Sequence, residues 1–358
     1  MSRFPRLVVD LAKVEHNART VVRLAARHGI RVTGVTKVAC GDPAVAGAML
    51  AGGVARLGDS RVENLARLRE AFPDVERTLL RLPMPDEADA VAADADVSLC
   101  SEPAVVERLG AAAVRRGKRH GVILMVELGD LREGLEREQV PPAVERILRL
   151  DGVRLLGLGA NLACYGGVVP TPGKVADFDA LVASVERDFG IALERNSGGN
   201  SANIPLLLAG HPPSRINDLR IGEGIVLGLE TVRRRPIPQA HQDTVTFEAV
   251  LVEVQEKASM PDGELAQNAF GETPVFEDLG RIRRGILAGG RQDVKVEGLT
   301  PLGEGVSILG ASSDHLLVRL ASGAHRVGDV LAFRPDYGAL LAAYTSPYVE
   351  KVRVRSRG

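Results

Sequence analysis

The sequence has few cysteines and no long apolar run, and each absence excludes a class of protein. The three cysteines, Cys40, Cys100 and Cys164, are odd in number and widely spaced, which fits neither a disulfide framework nor a tetrahedral zinc site. We therefore expect a protein of the reducing cytoplasm. No apolar run approaches the roughly 20 residues of a membrane-spanning helix. Charged residues also interrupt the start of the chain, so we expect neither a signal peptide nor a membrane partner.

An excess of either charge is absent as well. There are 45 basic and 46 acidic residues, giving a net charge of −1, and neither sign forms long blocks, which argues against a nucleic-acid partner. The seven histidines are scattered without a pair at i, i+4 spacing, so we predict no metal. What remains is a chain of 358 residues with 45% hydrophobic content, which is typical of a globular protein with two domains.

Lysine is the scarce basic residue, since only seven of the 45 basic residues are lysines. Arginine cannot act as an amine nucleophile, so a lysine at a structured position draws attention to its chemistry. Lys37 ends the segment VTGVTK (Val32–Lys37), whose alternation is typical of a strand. A lysine at the carboxyl end of an inner strand is a candidate imine former, and the alternative is a solvated surface charge.

Apolar segments recur at intervals typical of a (β/α)8 barrel. Eight of them alternate mostly with amphipathic helical patterns, near residues 31–36, 54–58, 78–82, 96–99, 122–127, 153–160, 191–196 and 217–221. We therefore predict an α/β fold with an N-terminal (β/α)8 TIM barrel over residues 1–235. The alternative is an open doubly wound sheet, which would more often place a glycine-rich phosphate turn after its first strand, where this chain has Lys37.

The run RRRPIP, residues 233–238, breaks this periodicity and marks the predicted domain boundary. The apolar segments beyond it, joined by Gly, Asp and Ser turns, are Val245–Val254, Ile282–Ala288, Val306–Leu309, Leu316–Leu320 and Val349–Val354. Residues 236–358 are therefore predicted to form a mostly-β C-terminal domain. The arginine triplet is interpreted as a solvated linker rather than an anion site.

Three polar clusters fall at predicted carboxyl ends of barrel strands, where such barrels build their active sites. SGGNSA (Ser197–Ala202) suits a phosphate through its two glycines and the helix start after Asn200, although the same turn also serves as a simple helix cap. LRIGEG (Leu219–Gly224) follows the eighth predicted strand. Arg132 and Asn161, which could also form a surface salt bridge and a turn cap, complete the set. A lysine, a phosphate cradle and cationic groups around one barrel mouth together predict pyridoxal phosphate as the cofactor.

The chain resembles the alanine racemase family of barrel-type pyridoxal phosphate enzymes, from PRLVVDLAKVEHNA at its start to SPYVEK near its end. Within that family it looks closest to the ornithine racemases, through the motifs GVTKVACGD, GDLREG, NLACYGG, SGGNS, PVFED and ILGASSDHL. The resemblance implies that Lys37 holds the cofactor covalently and that Arg220 faces its pyridine nitrogen. It assigns further cofactor contacts to Arg132, Asn161, Asn200, Ser201, Gly222, Glu223 and Tyr337.

The chain also departs from the family pattern. Met125 stands where many alanine racemases carry a modified lysine that supports the arginine matched by Arg132, and Asn161 replaces a histidine that contacts the pyridine-facing arginine. The stretch GGRQDV puts Arg291 near the position of the family's second catalytic base, a tyrosine, although arginine is a poor proton acceptor. We therefore expect the second base among Asp293, Asp314 and His315.

The predicted activity is racemisation of an amino acid. An arginine at the pyridine nitrogen resists protonation there, so the carbanion returns its proton at Cα instead of being drawn into transamination. Lys37 is the expected base on one face of the substrate. The resemblance implies a basic substrate, ornithine, and a head-to-tail homodimer in which the neighbour's β-domain completes each site. The alternatives are a racemase for lysine, arginine or a neutral amino acid such as alanine, a non-catalytic pyridoxal phosphate carrier, and a cofactor-free barrel aldolase.

Overall fold

Parallel strands and helices alternate through the N-terminal part of the chain. The computed structural model describes residues 3–210, 215–321 and 323–356. The elements of this part are, in chain order, β1 (Arg6–Asp10), α1 (Leu11–Ala26), β2 (Arg31–Val35), α2 (Pro43–Ala51), β3 (Arg56–Asp59), α3 (Val62–Ala71), β4 (Arg77–Leu79), α4 (Ala88–Asp94), β5 (Val97–Cys100), α5 (Pro103–Arg115), β6 (His120–Met125), α6 (Val140–Leu148), β7 (Val153–Gly159), α7 (Pro172–Phe189), α8 (Ile204–Leu208), β8 (Asp218–Ile221) and α9 (Glu223–Val226).

Seven parallel strands form one sheet in the order β7-β6-β5-β4-β3-β2-β8. Ser197 closes the gap between its two edges, because it bridges in parallel to Gly159 on β7 and to Asp218 on β8. The predicted barrel architecture is confirmed, with seven strands in the sheet and the isolated bridges of Ser197 at the eighth position, but the strand predicted near residues 191–196 is wrong. The reason is local: the amide of Leu158 donates to Oδ1 of the Asn196 side chain at 3.3 Å and not to a backbone carbonyl, which interrupts the ladder between this segment and β7.

Apolar side chains of neighbouring strands fill the barrel. One buried cluster combines Val97 and Leu99 of β5 with Ile123 and Met125 of β6 and Leu156 of β7. Outside it, the helices bury one face each, as when Leu65 and Leu68 of α3 become fully buried, which stabilises the fold by about 2 kcal/mol per side chain. Among the described residues, no helix is both long and apolar enough to cross a membrane.

The caps of the helices follow from the sequence at their ends. The helix α7 begins after Thr171, whose hydroxyl accepts a hydrogen bond from the amide of Lys174 at 3.3 Å, with Pro172 in the first turn. It ends at Gly190, which adopts the left-handed conformation with φ of 64°. Similarly, Asp42 caps α2 by accepting from the amide of Ala44 at 2.9 Å.

The C-terminal unit is built on antiparallel strands, as predicted. Its elements are β9 (Val245–Ala258), β10 (Arg281–Ala288), β11 (Leu299–Pro301), β12 (Val306–Ala311), β13 (His315–Leu320), β14 (Val330–Pro335), α10 (Tyr337–Thr345) and β15 (Glu350–Val354). The main sheet runs β11-β14-β9-β10-β13-β12. The strands β11 and β14 and the helix α10 were not predicted.

The strand β1 also belongs to this unit. It pairs antiparallel with β9 and parallel with β15. The chain accordingly divides into one unit of residues up to Asp10 with Asp243–Arg355 and another from Leu11 to Gln242. The predicted division at residues 235 and 236 instead leaves residues 1–10 with the barrel, because a local sequence pattern does not identify the distant strands with which β1 pairs.

Candidate active site

The candidate residues of the barrel follow five neighbouring strand positions. Going around the barrel, these are β6, β7, the bridging segment at Ser197, β8 and β2. The groups at or after their carboxyl ends, in the same order, are Arg132, Asn161, the SGGNSA segment, Arg220 near the end of β8 with Gly222 after it, and Lys37. Since all the strands are parallel, these groups collect at the carboxyl-end mouth of the barrel, where barrels of this type carry chemistry.

Lys37 begins a short 3₁₀ turn, Lys37–Ala39, directly after β2. The preceding Thr36 is buried, and its hydroxyl donates to Oδ2 of Asp59 at 2.7 Å. Asp59 in turn accepts from the side-chain amide of Asn64 at 2.9 Å, and burial raises the pKa of its carboxyl group. Arg67 donates to the carbonyl of Cys40 at 2.5 Å on the other side of the turn. Contacts from the next strand and helix therefore fix the backbone that carries Lys37.

The SGGNSA segment forms a tight turn before α8. The Asn200 side chain accepts from the amide of Ala202 at 2.8 Å and donates to the carbonyl of Leu162 at 3.0 Å. Gly199 has φ of 128°, and a Cβ there would lie 2.6 Å from Nδ2 of Asn203, so only glycine fits. The Ser201 hydroxyl accepts from the amide of Gly224 at 3.1 Å, which joins this turn to the one after β8. Paired turns of this kind present backbone N–H groups suited to a phosphate.

The turn after β8 packs closely against β2. A Cβ on Gly222 would lie 3.0 Å from both Cβ and the carbonyl oxygen of Val35, so glycine brings the segment close to the strand that precedes Lys37. Glu223 begins α9, and its carboxylate forms an ion pair with Arg234. Glu223 therefore has a cationic partner within the barrel unit.

Arg220 is buried inside the barrel, with 5% of its surface exposed. Its Nη2 donates to the carbonyl of Ala160 at 2.8 Å and to Oδ1 of Asn161 at 2.7 Å. Its Nη1 donates to both the carbonyl and the hydroxyl of Ser197. Burial lowers the pKa of the guanidinium, and the nearby charge of Asp218 opposes that shift. The group is held in one orientation by acceptors on the two neighbouring strand positions.

Arg132 and Asn161 both donate hydrogen bonds to the carboxylate of Glu133, a residue that the sequence analysis did not predict. Glu133 accepts from Nε and Nη2 of Arg132, and it also accepts from the side-chain amide of Asn161. This hydrogen bonding is the main reason that the pKa of Arg132 is raised. Arg132 also donates to Sγ of Cys164 at 2.6 Å. The sequence signal for this contact was that Arg132 and Glu133 are adjacent in GDLREG. Sequence periodicity, however, does not indicate whether two consecutive residues form an ion pair.

The three candidates for the second base lie together in the C-terminal unit. Asp293 is buried and accepts from the amide of Gly290 at 2.9 Å, and burial raises the pKa of its carboxyl group. Asp314 is exposed, and hydrogen bonding from the Ser313 hydroxyl lowers the pKa of its carboxyl group. His315 lies beside it, with Nδ1 3.4 Å from the Asp314 carboxylate. The C-terminal unit therefore contains both a carboxyl group of raised pKa and an imidazole.

Two further predicted residues of this unit can be placed. Tyr337 is the first residue of α10, whose preceding residue Asp336 caps the helix by accepting from the amide of Ala339 at 2.7 Å. Arg291, which stands near the family's tyrosine base, pairs with Glu297 at 2.9 Å and lies 4.8 Å from the ring centre of Phe270. Its guanidinium is thus engaged within its own unit.

The donor set of the barrel mouth fits pyridoxal phosphate. The cofactor needs an amine for covalent attachment, N–H groups for a dianionic phosphate and a polar partner for its ring nitrogen. Lys37, the joined turns at Ser201 and Gly224, and the buried Arg220 provide these three kinds of group on adjacent strand ends. The glycine at position 222 leaves room for the close backbone packing described above.

Comparison with known proteins agrees with this chemistry. Residues 9–229 match the family model described as alanine racemase, N-terminal domain. The chain is 40% identical over 350 residues to a lysine racemase from Thermotoga maritima, and the match covers 98% of both proteins. It is 37% identical over 351 residues to an ornithine racemase from Acetoanaerobium sticklandii, with 97% of this chain and 99% of that relative covered.

The similarity extends to solved structures. An alanine racemase from Streptomyces coelicolor superposes with a TM-score of 0.77 at 20% identity, and the match covers 98% of each chain. This likeness confirms the predicted fold, and the family match confirms the resemblance stated from the motifs. The chain therefore belongs to the alanine racemase family, as a pyridoxal phosphate-dependent racemase.

Proposed function

We propose that this protein racemises a basic amino acid, with ornithine as the first candidate substrate and lysine as the second. The observation that carries the proposal is the collection of an amine, two arginines and a phosphate-binding turn on five neighbouring strand ends. The named activities of the two relatives described above, a lysine racemase and an ornithine racemase, support a basic substrate. Their similar identities to this chain support both candidates.

In the proposed reaction, Lys37 has two roles. Its Nζ would hold the cofactor covalently in the resting protein, and as a free amine it would remove or return a proton at the substrate Cα on one face. Pyridoxal phosphate, when bound, supplies the electron sink that makes this Cα proton acidic. The hydrogen bonds that fix Thr36 and Cys40 orient the lysine, since they immobilise the backbone on both sides of it.

Arg220 is proposed to face the ring nitrogen of the cofactor. As a guanidinium it donates hydrogen bonds and does not readily release a proton, so it disfavours a protonated ring nitrogen. The fixed acceptors Ala160, Asn161 and Ser197 hold it in position, so little reorganisation is needed during the reaction. Asn200 and Ser201 and the Gly222–Glu223 turn are proposed to hold the phosphate, and Arg132 to lie near the phenolic oxygen.

The second base is proposed to come from the C-terminal unit, with Asp293, Asp314 and His315 as the candidates. We further propose a head-to-tail homodimer in which this unit of one chain completes the barrel site of its partner, with Tyr337 contributing to the phosphate site. Mixing Lys37→Ala chains with His315→Gln chains tests both points. If His315 is the base, the two inactive homodimers exchange subunits into a heterodimer with one intact site, and activity returns.

The three cysteines support a cytoplasmic location, since all of them are free thiols. Cys100 is buried, and burial raises the pKa of its thiol to about 12, which keeps it unreactive.

The direct test of the function is a panel of single enantiomers, comprising L-ornithine, L-lysine, L-arginine and L-alanine. Each is incubated with holoenzyme, and the product is resolved by chiral chromatography. We expect turnover of ornithine first and lysine second, with alanine at least about tenfold slower, because a site matched to a charged group discriminates against its absence. Turnover of alanine alone would refute the basic-substrate proposal, and no turnover with bound cofactor would favour a pyridoxal phosphate carrier.

A further inference from the structure

One carboxylate lies between the two arginines of the barrel mouth. Glu133 accepts from both Nε and Nη2 of Arg132, a forked arrangement of the kind that fixes the plane of a guanidinium. The same carboxylate accepts from Nδ2 of Asn161, and Oδ1 of Asn161 accepts from Arg220 at 2.7 Å. The side chain of Glu133 is only 10% exposed, whereas that of Arg132 is 37% exposed, so the carboxylate is shielded from water and the guanidinium that it holds is partly open to solvent.

The geometry points to Glu133 as a positioning residue for the cofactor, which orients Arg132 directly and Arg220 through the amide of Asn161. This inference rests on the proposed function, in which both arginines contact pyridoxal phosphate. Glu133 itself is not assigned a contact with substrate or cofactor. Its negative charge offsets the repulsion between two cationic groups, and its hydrogen bonds hold Arg132 and the amide of Asn161 in one arrangement.

The chemistry of the carboxylate is essential to this role. An ionised glutamate has acceptors only, so it can receive N–H groups from Arg132 and Asn161 at once. Its acceptance from Nδ2 of Asn161 turns the amide so that Oδ1 meets Arg220. A glutamine at position 133 would place an NH2 group against one of these donors, and either the Arg132 fork or the orientation of Asn161 would be lost.

The backbone also holds Glu133 in place. The chain turns back onto the end of β6 immediately after it, with the amide of Leu135 donating to the carbonyl of Met125 at 2.9 Å. Gly134 has φ of 133°, and a Cβ there would lie 2.5 Å from the backbone of Val126 and Glu127, so this return requires glycine. A strand-like bridge between Val126 and Leu135 completes the closure. Glu133 therefore belongs to a fixed loop and not to a mobile tip.

The neighbouring side chains of Met125 and Asp130 do not orient Arg132 in place of Glu133. Met125, at the end of β6, offers only a thioether sulfur, which is a weak acceptor and carries no charge to pair with an arginine fork. Asp130 is nearby, but its carboxylate accepts from the amides of Cys164 and Tyr165 at 3.1 and 3.0 Å. In the described part of the chain, the carboxylate hydrogen-bonded to Arg132 is thus that of Glu133.

The test compares Glu133→Gln with Glu138→Gln, the same chemical change at an exposed position of the same region. Cofactor-free full-length protein is titrated with pyridoxal phosphate, and the dissociation constant and visible absorption of the bound cofactor are recorded. We expect about a 10- to 100-fold weaker affinity and a shifted absorption maximum for Glu133→Gln, because a charged hydrogen-bond partner is removed from a shielded site. We expect both quantities to match wild type for Glu138→Gln.

A second variant guards against a change in folding. The effect of Glu133→Gln is measured again in an Arg132→Met background, with thermal unfolding of each cofactor-free chain as the check on the fold. If Glu133 acts through its neighbours, its substitution should have a clearly smaller effect on affinity once Arg132 is gone. Equal effects in the two backgrounds, or unchanged affinity and absorption in the single variant, would overturn the role of Glu133. Failure of wild type to bind the cofactor would instead overturn the proposed function, and this inference with it.

Discussion

Arginine side chains are buried at both the amino and the carboxyl ends of the barrel strands, but their hydrogen-bond partners differ. At the amino ends, Arg195 makes two hydrogen bonds to the Glu76 carboxylate, at 2.6 and 2.8 Å, and Arg56 lies 3.3 Å from the same carboxylate. Arg56 also lies 3.4 Å from Asp218. At the carboxyl ends, Arg220 donates to carbonyl, hydroxyl and amide oxygens, and no carboxylate among the described residues accepts from it.

This difference shows that the partner of a buried arginine, more than its burial, decides what the arginine can do. At the amino end, the charges of Arg195 and Arg56 are neutralised by carboxylates next to them, an arrangement suited to a stabilising network. Asp218 does reach the carboxyl end, but only through the Ser197 hydroxyl, which donates to its Oδ2 at 2.5 Å and accepts from Arg220. Arg220 therefore keeps a positive charge that a ligand can use. Substitutions at the carboxyl end should change activity, and those at the amino end should change stability.

The largest effect is expected for Lys37→Ala at the carboxyl end. Loss of both the covalent attachment and one base should lower kcat for racemisation by about 10⁴-fold or more, while the unfolding temperature of the cofactor-free protein stays near that of wild type. Lys257→Ala, which removes a lysine paired with Glu253 on the β9 strand, is the control and should retain activity. Residual activity of Lys37→Ala within tenfold of wild type would contradict the assigned role.

Arg220→Gln is expected to have the next largest effect. The substitution keeps a polar side chain but removes the charge and the fork, so kcat should fall by about 100-fold. Arg154→Gln, which changes an exposed arginine 3.3 Å from Glu194, provides the matched control and should leave kcat unchanged. A purely structural arginine would instead give a lower unfolding temperature with normal kcat for the folded fraction.

The comparison also shows which features sequence patterns could reveal. Lys37 and Asn200 were predicted because each follows an apolar segment, and Arg220 because it lies near the end of one; the parallel barrel then brings strand ends together. Glu133 was missed because its contacts depend on a loop that returns to β6 at Gly134, and hydrophobic periodicity carries no information about loops. The place of β1 in the C-terminal unit was missed for a related reason, since its partners β9 and β15 lie far away in sequence.

The amino end contributes a titratable group with a smaller expected effect. His120 is fully buried, its Nε2 lies 2.8 Å from the Ser98 hydroxyl, and burial lowers its pKa to about 4, with the charge of Lys118 adding to the shift. The folded state therefore prefers neutral His120, whereas the unfolded chain takes up a proton below about pH 6.5. Stability should fall by about 2 kcal/mol between pH 7 and pH 5 from this group, and the loss should level off below its folded pKa. Denaturant unfolding at several pH values measures this slope, and His120→Phe should flatten it; an equal slope in the variant would contradict the assignment.

The smallest expected effect is at the salt bridge of the amino end. Arg195→Met removes the two hydrogen bonds to Glu76, but Arg56 remains 3.3 Å from that carboxylate and partly compensates its charge. Because the pair is only partly buried, we expect a loss of about 1 kcal/mol in the free energy of unfolding, with kcat of the folded enzyme unchanged. Arg154→Met breaks an exposed pair with Glu194 and should cost less than about 0.5 kcal/mol. A fall in kcat for Arg195→Met without loss of stability would contradict the assignment of stability to the amino end and activity to the carboxyl end. It would show that the charged groups of the amino end affect the reaction.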